Sequence, residues 1–547
     1  MSISSAPLSR RSLLRSVAIA GGILTVPGLL AACTSSDSSG ASGPVKTGND
    51  PIDRLRVVLP SSISTLDLTR EPGIVNLTIA LLAQESLLAV DADGKLVPAL
   101  ATAWTQPDPT TYVLDLRADA VFSDGTPVTV DDVIASIEQH SAKGSTSSFA
   151  YAFVNLKSLE KTGDNQLTIT LSAPDSLFAW SLSPGTLQIT SKAFLEKNKG
   201  SIGTPKTLLL GTGPYRITSF EPDSHVELER NDSWWGDAPA ARSVRFEFIT
   251  DESTRLVAMR EGSFDVATTV PLDQLEQWEK IDGIDVQTAP DNSVVTLAFN
   301  TGIAPFDDIH VRKAVAHSID RAAVVKSVLR GNGEVARTFP TESEWGGLLD
   351  ESAVKDLYES IPQYDFDLDE ARKELAASSV PDGFSTSISY PNSGPQIGKA
   401  LLSLAANLEK IGITLKVEEV TLEKWIADLG THEAALVLGW YFATTGDPAE
   451  YTQQLLNGDN AGVNGANIAD YRNDEVTELL RKEKVTTDQA ERGRLLGEVI
   501  VKAAADIPYQ PLWWGVGATA FGKKVAGEDY SPYFFLGPWP GNVSSRG

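Results

Sequence analysis

Helical and extended patterns alternate along much of this 547-residue chain, and this alternation constrains its fold more than any other feature. Apolar side chains recur at helical spacing over residues 397–411, and Gly412 follows as a residue that ends helices. Residues 414–420 have the pattern of a strand, and residues 433–442 form an apolar run typical of buried strands. Such alternation predicts α/β lobes built on open sheets. Ligands of such sheets bind at the carboxyl ends of the strands.

The first 32 residues have the composition of an export signal. Arg10 and Arg11 stand side by side before an uncharged apolar run that ends in small residues. The paired arginines favour the twin-arginine export route. The run, residues 17–32, contains glycine and proline and is shorter than the ~20 residues that span a bilayer, which disfavours a transmembrane anchor. The sequence Leu30-Ala31-Ala32-Cys33 resembles a bacterial lipobox, in which the cysteine receives diacylglycerol.

Cys33 is the only cysteine, so no disulfide can form within the chain. A free thiol in an oxidising compartment is reactive, and acylation of Cys33 would remove that reactivity. The residues that follow are rich in Ser, Gly and Asp without apolar periodicity, which predicts a flexible tether. We therefore expect a signal peptide over residues 1–32 and a tether over residues 33–50. The lipid would hold the folded body at the outer face of the cell membrane.

Composition bounds the class of the whole chain. Its length predicts about three domains, and a hydrophobic content of 42% is ample for real cores. A formal net charge of −26 disfavours nucleic acid as a partner, because that binding depends on Lys and Arg contacts with phosphates. No apolar run after Cys33 approaches the ~18 residues of a membrane span.

Enzyme and metal signatures are scarce. The sequence contains no zinc-protease His-Glu-x-x-His motif, no Gly-x-Ser-x-Gly motif and no phosphate-binding loop. Asp365, Asp367 and Asp369 have the spacing of a calcium loop but lack its glycine and its last glutamate, so they are interpreted as a helix N-terminus. His310 and His317 are interpreted as structural. We therefore expect no catalytic residues, no metal site and no cofactor.

A series of motifs, in order along the chain, resembles the family 5 solute-binding proteins, which are the peptide, nickel and related receptors of bacterial ABC importers. No single motif is decisive, and the resemblance covers most of residues 51–525. The matching segments are 85–88, 96–101, 122–133, 211–215, 231–236, 255–266, 297–321, 364–376, 411–413, 439–440 and 447–448.

The resemblance implies an α/β protein with the two-lobe periplasmic-binding-protein fold of type II, the Venus-flytrap arrangement, and an extra subdomain inserted in lobe I. It assigns residues 51–80, 208–292 and 508–547 to lobe I, residues 81–207 to the inserted subdomain and residues 293–507 to lobe II. The implied function is capture of a peptide or peptide-like solute between the lobes. The solute would then pass to a membrane permease, which works with a separate ATPase subunit.

The resemblance also indicates which residues face the ligand. Trp440 and Tyr441 end an apolar strand that would line the cleft, with neighbouring side chains on opposite faces. Trp345 lies where the family places a lobe II loop at the cleft. Thr444 stands where peptide-binding members carry an aspartate for the α-ammonium group, and Asn392 lies in the loop where dipeptide-binding members carry an arginine. Because no acid stands at or beside Thr444 and the loop of Asn392 carries no charge, we expect simple dipeptides to bind poorly.

Other functions stay open at this point. The same fold would also serve an oligosaccharide or another non-peptide solute. A sensory or adhesion lipoprotein would share the signal and the fold, and only its partners would differ. An extracellular hydrolase would need a nucleophile–base pair or a metal site, and the sequence shows neither.

Overall fold

The structure is a computed structural model that describes residues 47–48 and 50–546. The predicted signal peptide, Cys33 and most of the predicted tether lie outside the described residues. Within the described residues, no helix is both long and apolar enough to cross a membrane.

The strands, in chain order, are β1 (Thr47–Gly48), β2 (Leu55–Leu59), β3 (Leu88–Val90), β4 (Leu96–Pro98), β5 (Ala101–Asp108), β6 (Thr111–Leu116), β7 (Leu156–Gly163), β8 (Gln166–Leu171), β9 (Tyr215–Glu221), β10 (His225–Arg230), β11 (Ser243–Phe248), β12 (Val266–Ala267), β13 (Asp285–Phe299), β14 (Glu334–Val335), β15 (Ser385–Pro391), β16 (Thr414–Val420), β17 (Leu436–Phe442), β18 (Tyr509–Phe521), β19 (Val525–Gly527) and β20 (Val543–Arg546).

The α-helices are α1 (Ile74–Ala80), α2 (Val130–Ser141), α3 (Lys192–Lys197), α4 (Glu252–Arg260), α5 (Leu275–Glu279), α6 (Ile309–Ala316), α7 (Arg321–Ser327), α8 (Glu351–Ser360), α9 (Leu368–Ala376), α10 (Pro395–Glu409), α11 (Leu422–Leu429), α12 (Ala449–Leu455), α13 (Asp474–Lys484) and α14 (Gln489–Asp506).

The largest sheet is mixed, with the strand order β17-β13-β18-β12-β2-β11-β10-β9, and β14 also pairs with β18. Its two long strands, β13 and β18, are antiparallel, and their register shifts between Pro290 and Val294. Before the shift, β13 pairs with the part of β18 that also pairs with β12. After the shift, β13 pairs with β17 on its other side. The two long strands therefore connect two groups of strands.

Separate apolar cores lie on the two sides of this connection. One core joins β2, α1 and β9–β11 with the C-terminal segment. Two others cover the faces of β13 and β17 and include α10 and α14. The four-stranded sheet β5-β6-β8-β7 has a core of its own with α2. The chain is thus an α/β protein whose helices cover open sheets, as its patterns predict.

Several local predictions are confirmed. Thr129 and Asp132 have the sequence spacing of a capping box, and they form one at the start of α2. Asp367 caps α9, so this acidic run begins a helix. Gly412 has a φ of +90° and follows α10.

Residues 77–88 have a helical pattern in the sequence, but the helix that this pattern predicts is wrong at both ends. Helix α1 begins at Ile74 and ends at Ala80, and Leu88 already begins β3. The carbonyl groups of Leu82 and Ala83 accept hydrogen bonds from the backbone of residues 213–215 instead of continuing a helix. This close approach needs a glycine, since a Cβ on Gly213 would overlap the Leu82 carbonyl. A contact between distant segments therefore outweighs local helix propensity.

Candidate functional site

The carboxyl end of β17 presents aromatic rings on both faces of the sheet. Trp440 packs toward the core that contains α10, and its ring lies 5.2 Å from the exposed ring of Phe442. The loop before α10 lies beside Trp440, since a Cβ placed on Gly394 would come within 3.3 Å of the indole. The exposed Asn392 belongs to this loop, and its backbone N–H donates to Val420 at the end of β16. Trp440 and the loop of Asn392 are therefore neighbours.

Tyr441 projects to the opposite face of β17, toward the core that contains α14. Its ring centroid lies 5.6 Å from that of Tyr451 on α12, and its hydroxyl donates to Glu450 over 3.1 Å. Burial raises the pKa of the Tyr441 hydroxyl far above its usual value, so this group stays protonated and acts as a donor. The alternation expected of a strand is therefore observed between Trp440 and Tyr441.

The chain turns sharply after β17, through residues 443–446, which we name the 443–446 turn. The Glu450 carboxylate lies inside it, and accepts from the backbone N–H groups of Thr444 at 3.0 Å and Thr445 at 2.8 Å. The Thr444 hydroxyl donates to the same carboxylate over 3.1 Å. Burial raises the pKa of Glu450, whereas these hydrogen bonds act in the opposite direction. An acidic group thus lies directly behind Thr444.

A buried ion-pair network holds the far end of this turn. Asp447 accepts from Arg492 on α14 over 2.9 Å, and Arg492 also pairs with Glu483 on α13 over 2.8 Å. Glu483 accepts a further hydrogen bond from Gln453 on α12. The other Asp447 oxygen accepts from the backbone of Ala449 at the start of α12. The turn is therefore tied to three helices.

Residues from the predicted inserted subdomain and the C-terminal segment meet this turn. A Cβ on Gly446 would lie 3.2 Å from the Trp180 ring and 2.9 Å from the Tyr533 hydroxyl, and one on Gly185 would lie 3.3 Å from the Thr444 carbonyl. Leu177 packs against the core that contains α12 and α14. Tyr151, which is 54% exposed, faces the Thr444 side chain. The turn is thus a contact between segments far apart in sequence.

A second contact of this kind lies at α10. Lys399, in the second turn of that helix, pairs with Asp273 over 3.5 Å. Asp273 belongs to the segment before α5, which packs in the core around α4 and β12. Residues assigned to lobe II by the family resemblance therefore touch residues assigned to lobe I at two places.

Trp345 lies away from the exposed rings of β17. Its side chain is 0% exposed in the core that contains α8 and α14, and its indole N–H donates to the Tyr358 hydroxyl over 3.2 Å. The neighbouring Glu344 caps the same turn through Thr341, and burial raises the pKa of Glu344 to about 7. A side chain with no accessible surface cannot touch a ligand unless its neighbours move.

The structure thus brings together four of the five residues predicted to face a ligand around the end of β17, namely Trp440, Tyr441, Thr444 and Asn392. Sequence reasoning missed Glu450, Tyr151 and Trp180. Among the described residues, no group of three or more His, Cys, Asp or Glu side chains is arranged to hold a metal ion.

Comparison with known proteins identifies the family. The model of the bacterial extracellular solute-binding proteins, family 5, matches residues 95–463. The probable D,D-dipeptide-binding periplasmic protein DdpA of Escherichia coli is 26% identical over 81% of this chain and 83% of its own length. Heme-binding protein A of Haemophilus influenzae is 27% identical over 80% of this chain and 82% of its own length.

The fold is that of solved two-lobe binding proteins. The periplasmic binding protein DppA of Helicobacter pylori, in complex with the peptide STSA, superposes with a TM-score of 0.75 at 24% identity, covering 91% of this chain and 99% of that one. Because the family model matches more than half of the sequence, the chain belongs to the bacterial extracellular solute-binding proteins of family 5.

Proposed function

We propose that this protein is a lipid-anchored receptor of an ABC importer. It binds a peptide or peptide-like solute between two lobes, at the outer face of the cell membrane, and delivers it to a permease that works with an ATPase. Support comes from the family, from a relative named for binding D,D-dipeptides and from the predicted export signal that precedes Cys33. A receptor of this kind needs no catalytic residue.

The observation that carries the proposal is the contact between the carboxyl end of β17 and residues of the predicted inserted subdomain. Trp440 and the 49%-exposed Phe442 pack together at this strand end and form the proposed aromatic wall. The turn that follows contacts Gly185 and Trp180, and the half-exposed Tyr151 lies near Thr444. Binding sites for small molecules are apolar and aromatic with a few polar groups, and these residues have that composition. A ligand that touches both sides favours the closed state over the open one.

The boundaries of the lobes follow from the same proposal. Lobe I would comprise residues 51–80, 208–292 and 508–547, with the subdomain 81–207 inserted, and lobe II residues 293–507. The register shift of β13 falls at the proposed boundary. We propose that β13 and β18 bend there when the lobes close.

The ligand class follows from the charges of the proposed wall. The predicted contact residues Trp440, Tyr441, Thr444 and Asn392 are all uncharged. Enclosing a free dipeptide would remove an ammonium and a carboxylate from water, and each unpaired charge costs about 2–5 kcal/mol. We therefore propose a neutral or end-modified peptide, a longer peptide bound along its middle, or a sugar-like solute that stacks on Trp440.

Calorimetry with two matched peptide libraries tests this proposal. Dipeptides with free termini should bind weakly, whereas the same sequences with acetylated and amidated ends should bind more tightly and lose affinity in Trp440→Ala. Trp104→Ala is a suitable control, because Trp104 is also half-buried but lies on β5. Micromolar binding of ordinary free dipeptides would contradict the proposed ligand class. Native mass spectrometry of the purified protein would identify any solute retained from the cell.

A further inference from the structure

The 443–446 turn depends on one acidic side chain that lies beneath it. We propose that Glu450 is the positioning residue of this turn, and that its carboxylate fixes Thr444 and Thr445 in the conformation that meets Gly185 and Trp180. The consequence for ligand binding rests on the proposed function, whereas the consequence for the turn itself rests only on hydrogen bonds.

The backbone of the turn needs this partner because the strand pairing stops just before it. The last register pair between β13 and β17 joins Ser293 and Phe442, and the N–H of Ala443 donates to Asn292. Beyond that point, no strand among the described residues offers an acceptor to Thr444 or Thr445. Thr445 is buried, and a buried N–H without a partner is costly. The Glu450 carboxylate supplies both acceptors from the first turn of α12.

The carboxylate is directed into the turn rather than toward a ligand. One oxygen accepts from the Tyr441 hydroxyl, the Thr444 hydroxyl and the Thr444 N–H, and the other accepts from the N–H groups of Thr444 and Thr445. A carboxylate offers about four lone-pair positions, so these five contacts occupy its acceptor capacity. Glu450 is also only 6% exposed. Its role is therefore to hold Thr444, and a direct ion pair with a bound ammonium group is not part of it.

Two substitutions of Glu450 can separate the positioning role of this side chain from its charge. A glutamine at this position can keep its oxygen where it accepts from the Thr444 and Thr445 N–H groups and loses only the second contact of the Thr444 N–H. Its amide nitrogen can donate to the hydroxyls of Tyr441 and Thr444, which also act as acceptors. Glu450→Gln therefore preserves the turn and removes the charge. Glu450→Ala removes both.

Hydrogen exchange measured by mass spectrometry on the whole protein tests the inference without any ligand. In Glu450→Ala, the amides of Thr444 and Thr445 should exchange at least about tenfold faster, since they lose charge-assisted hydrogen bonds. Glu450→Gln should stay within about threefold of the wild type. Glu344→Ala is the matched control, because it removes another buried acid of the same region that caps Thr341 and makes no bond to the turn. It should leave these two amides protected even where it lowers the thermal midpoint.

Binding of the blocked dipeptide library then separates this inference from the proposed function. If Glu450→Ala frees the amides and also weakens binding while Glu450→Gln keeps both, the positioning role holds. If Glu450→Ala frees the amides and binding is unchanged, the turn is positioned by Glu450 but is not part of the ligand site, and the proposed site fails. Unchanged amide exchange in Glu450→Ala overturns the positioning role. Equal loss of binding in Glu450→Gln and Glu450→Ala, with protected amides in the glutamine variant, overturns the link between the position of the turn and binding, because the charge of Glu450 would then act on the ligand.

Discussion

Replacing the buried Arg492 by methionine should lower the free energy of unfolding more than replacing an exposed arginine does. The Arg492 side chain is 4% exposed and lies between Asp447, which is 10% exposed, and Glu483, which is 0% exposed. Methionine leaves both carboxylates buried without their cation. Removing one partner of a buried ion pair costs about 3–5 kcal/mol, because the remaining charge stays desolvated. Gln453 and the N-terminus of α12 retain part of the hydrogen bonding, so the lower end of that range is expected.

The same helix provides a control two residues away. Arg494 pairs with Glu491 and Glu498 at 2.8 Å and 3.0 Å, but its side chain is 54% exposed. Exposed pairs contribute about 0–1 kcal/mol, so Arg494→Met should be nearly neutral. Urea unfolding followed by tryptophan fluorescence would measure the free energy of unfolding of both variants. Equal effects of the two substitutions would refute the view that burial makes the Arg492 network costly to break.

Three further outcomes are expected. Burial raises the pKa of Glu85, which accepts from the indoles of Trp234 and Trp235, to about 7. An acid whose folded pKa exceeds its unfolded value stabilises the fold at low pH. The wild type should therefore lose up to about 3 kcal/mol of stability between pH 4.5 and 7, and Glu85→Gln should not show this loss. Parallel pH profiles of the two proteins in urea unfolding would contradict this. Cys33→Ala should abolish incorporation of a radioactive fatty acid into the protein in growing cells, and equal label in the variant would exclude a lipid on Cys33. A bound blocked peptide should shift the fluorescence of the 11 tryptophans and reduce the radius of gyration in solution scattering, whereas tight binding without either change would argue against lobe closure.

Much of the fold could be predicted because its signals are local. The capping box of Thr129, the acidic start of α9 and the glycine that follows α10 depend only on nearby residues. The opposite faces of Trp440 and Tyr441 follow from the period of a strand. The family could be recognised from the order of the motifs along the chain, because many weak matches in the same order support one another.

The missed features depend on contacts between segments far apart in the chain. Glu450 stands six residues after Thr444, and only the reversal of the chain at the 443–446 turn brings its carboxylate behind that residue. Trp345 is buried by side chains of α8, α14 and β18, and its local sequence indicates only a loop. Tyr151 and Trp180 meet the turn through the packing of a separate sheet, which no periodicity reveals.

The pairing of the long strands β13 and β18 also determines when the main sheet can be completed during synthesis. Asp285 is the register partner of Phe521, and Ala298 is that of Tyr509, so the centre of the main sheet joins residues from the middle and the end of the chain. During synthesis, β13 emerges long before β18 and has an unpaired edge until the last segment follows. Non-local pairing of this kind slows folding and leaves strand edges open to aggregation. A chain shortened before Tyr509 would therefore lack the strand that joins its two groups of strands, and the folding of both groups would be impaired.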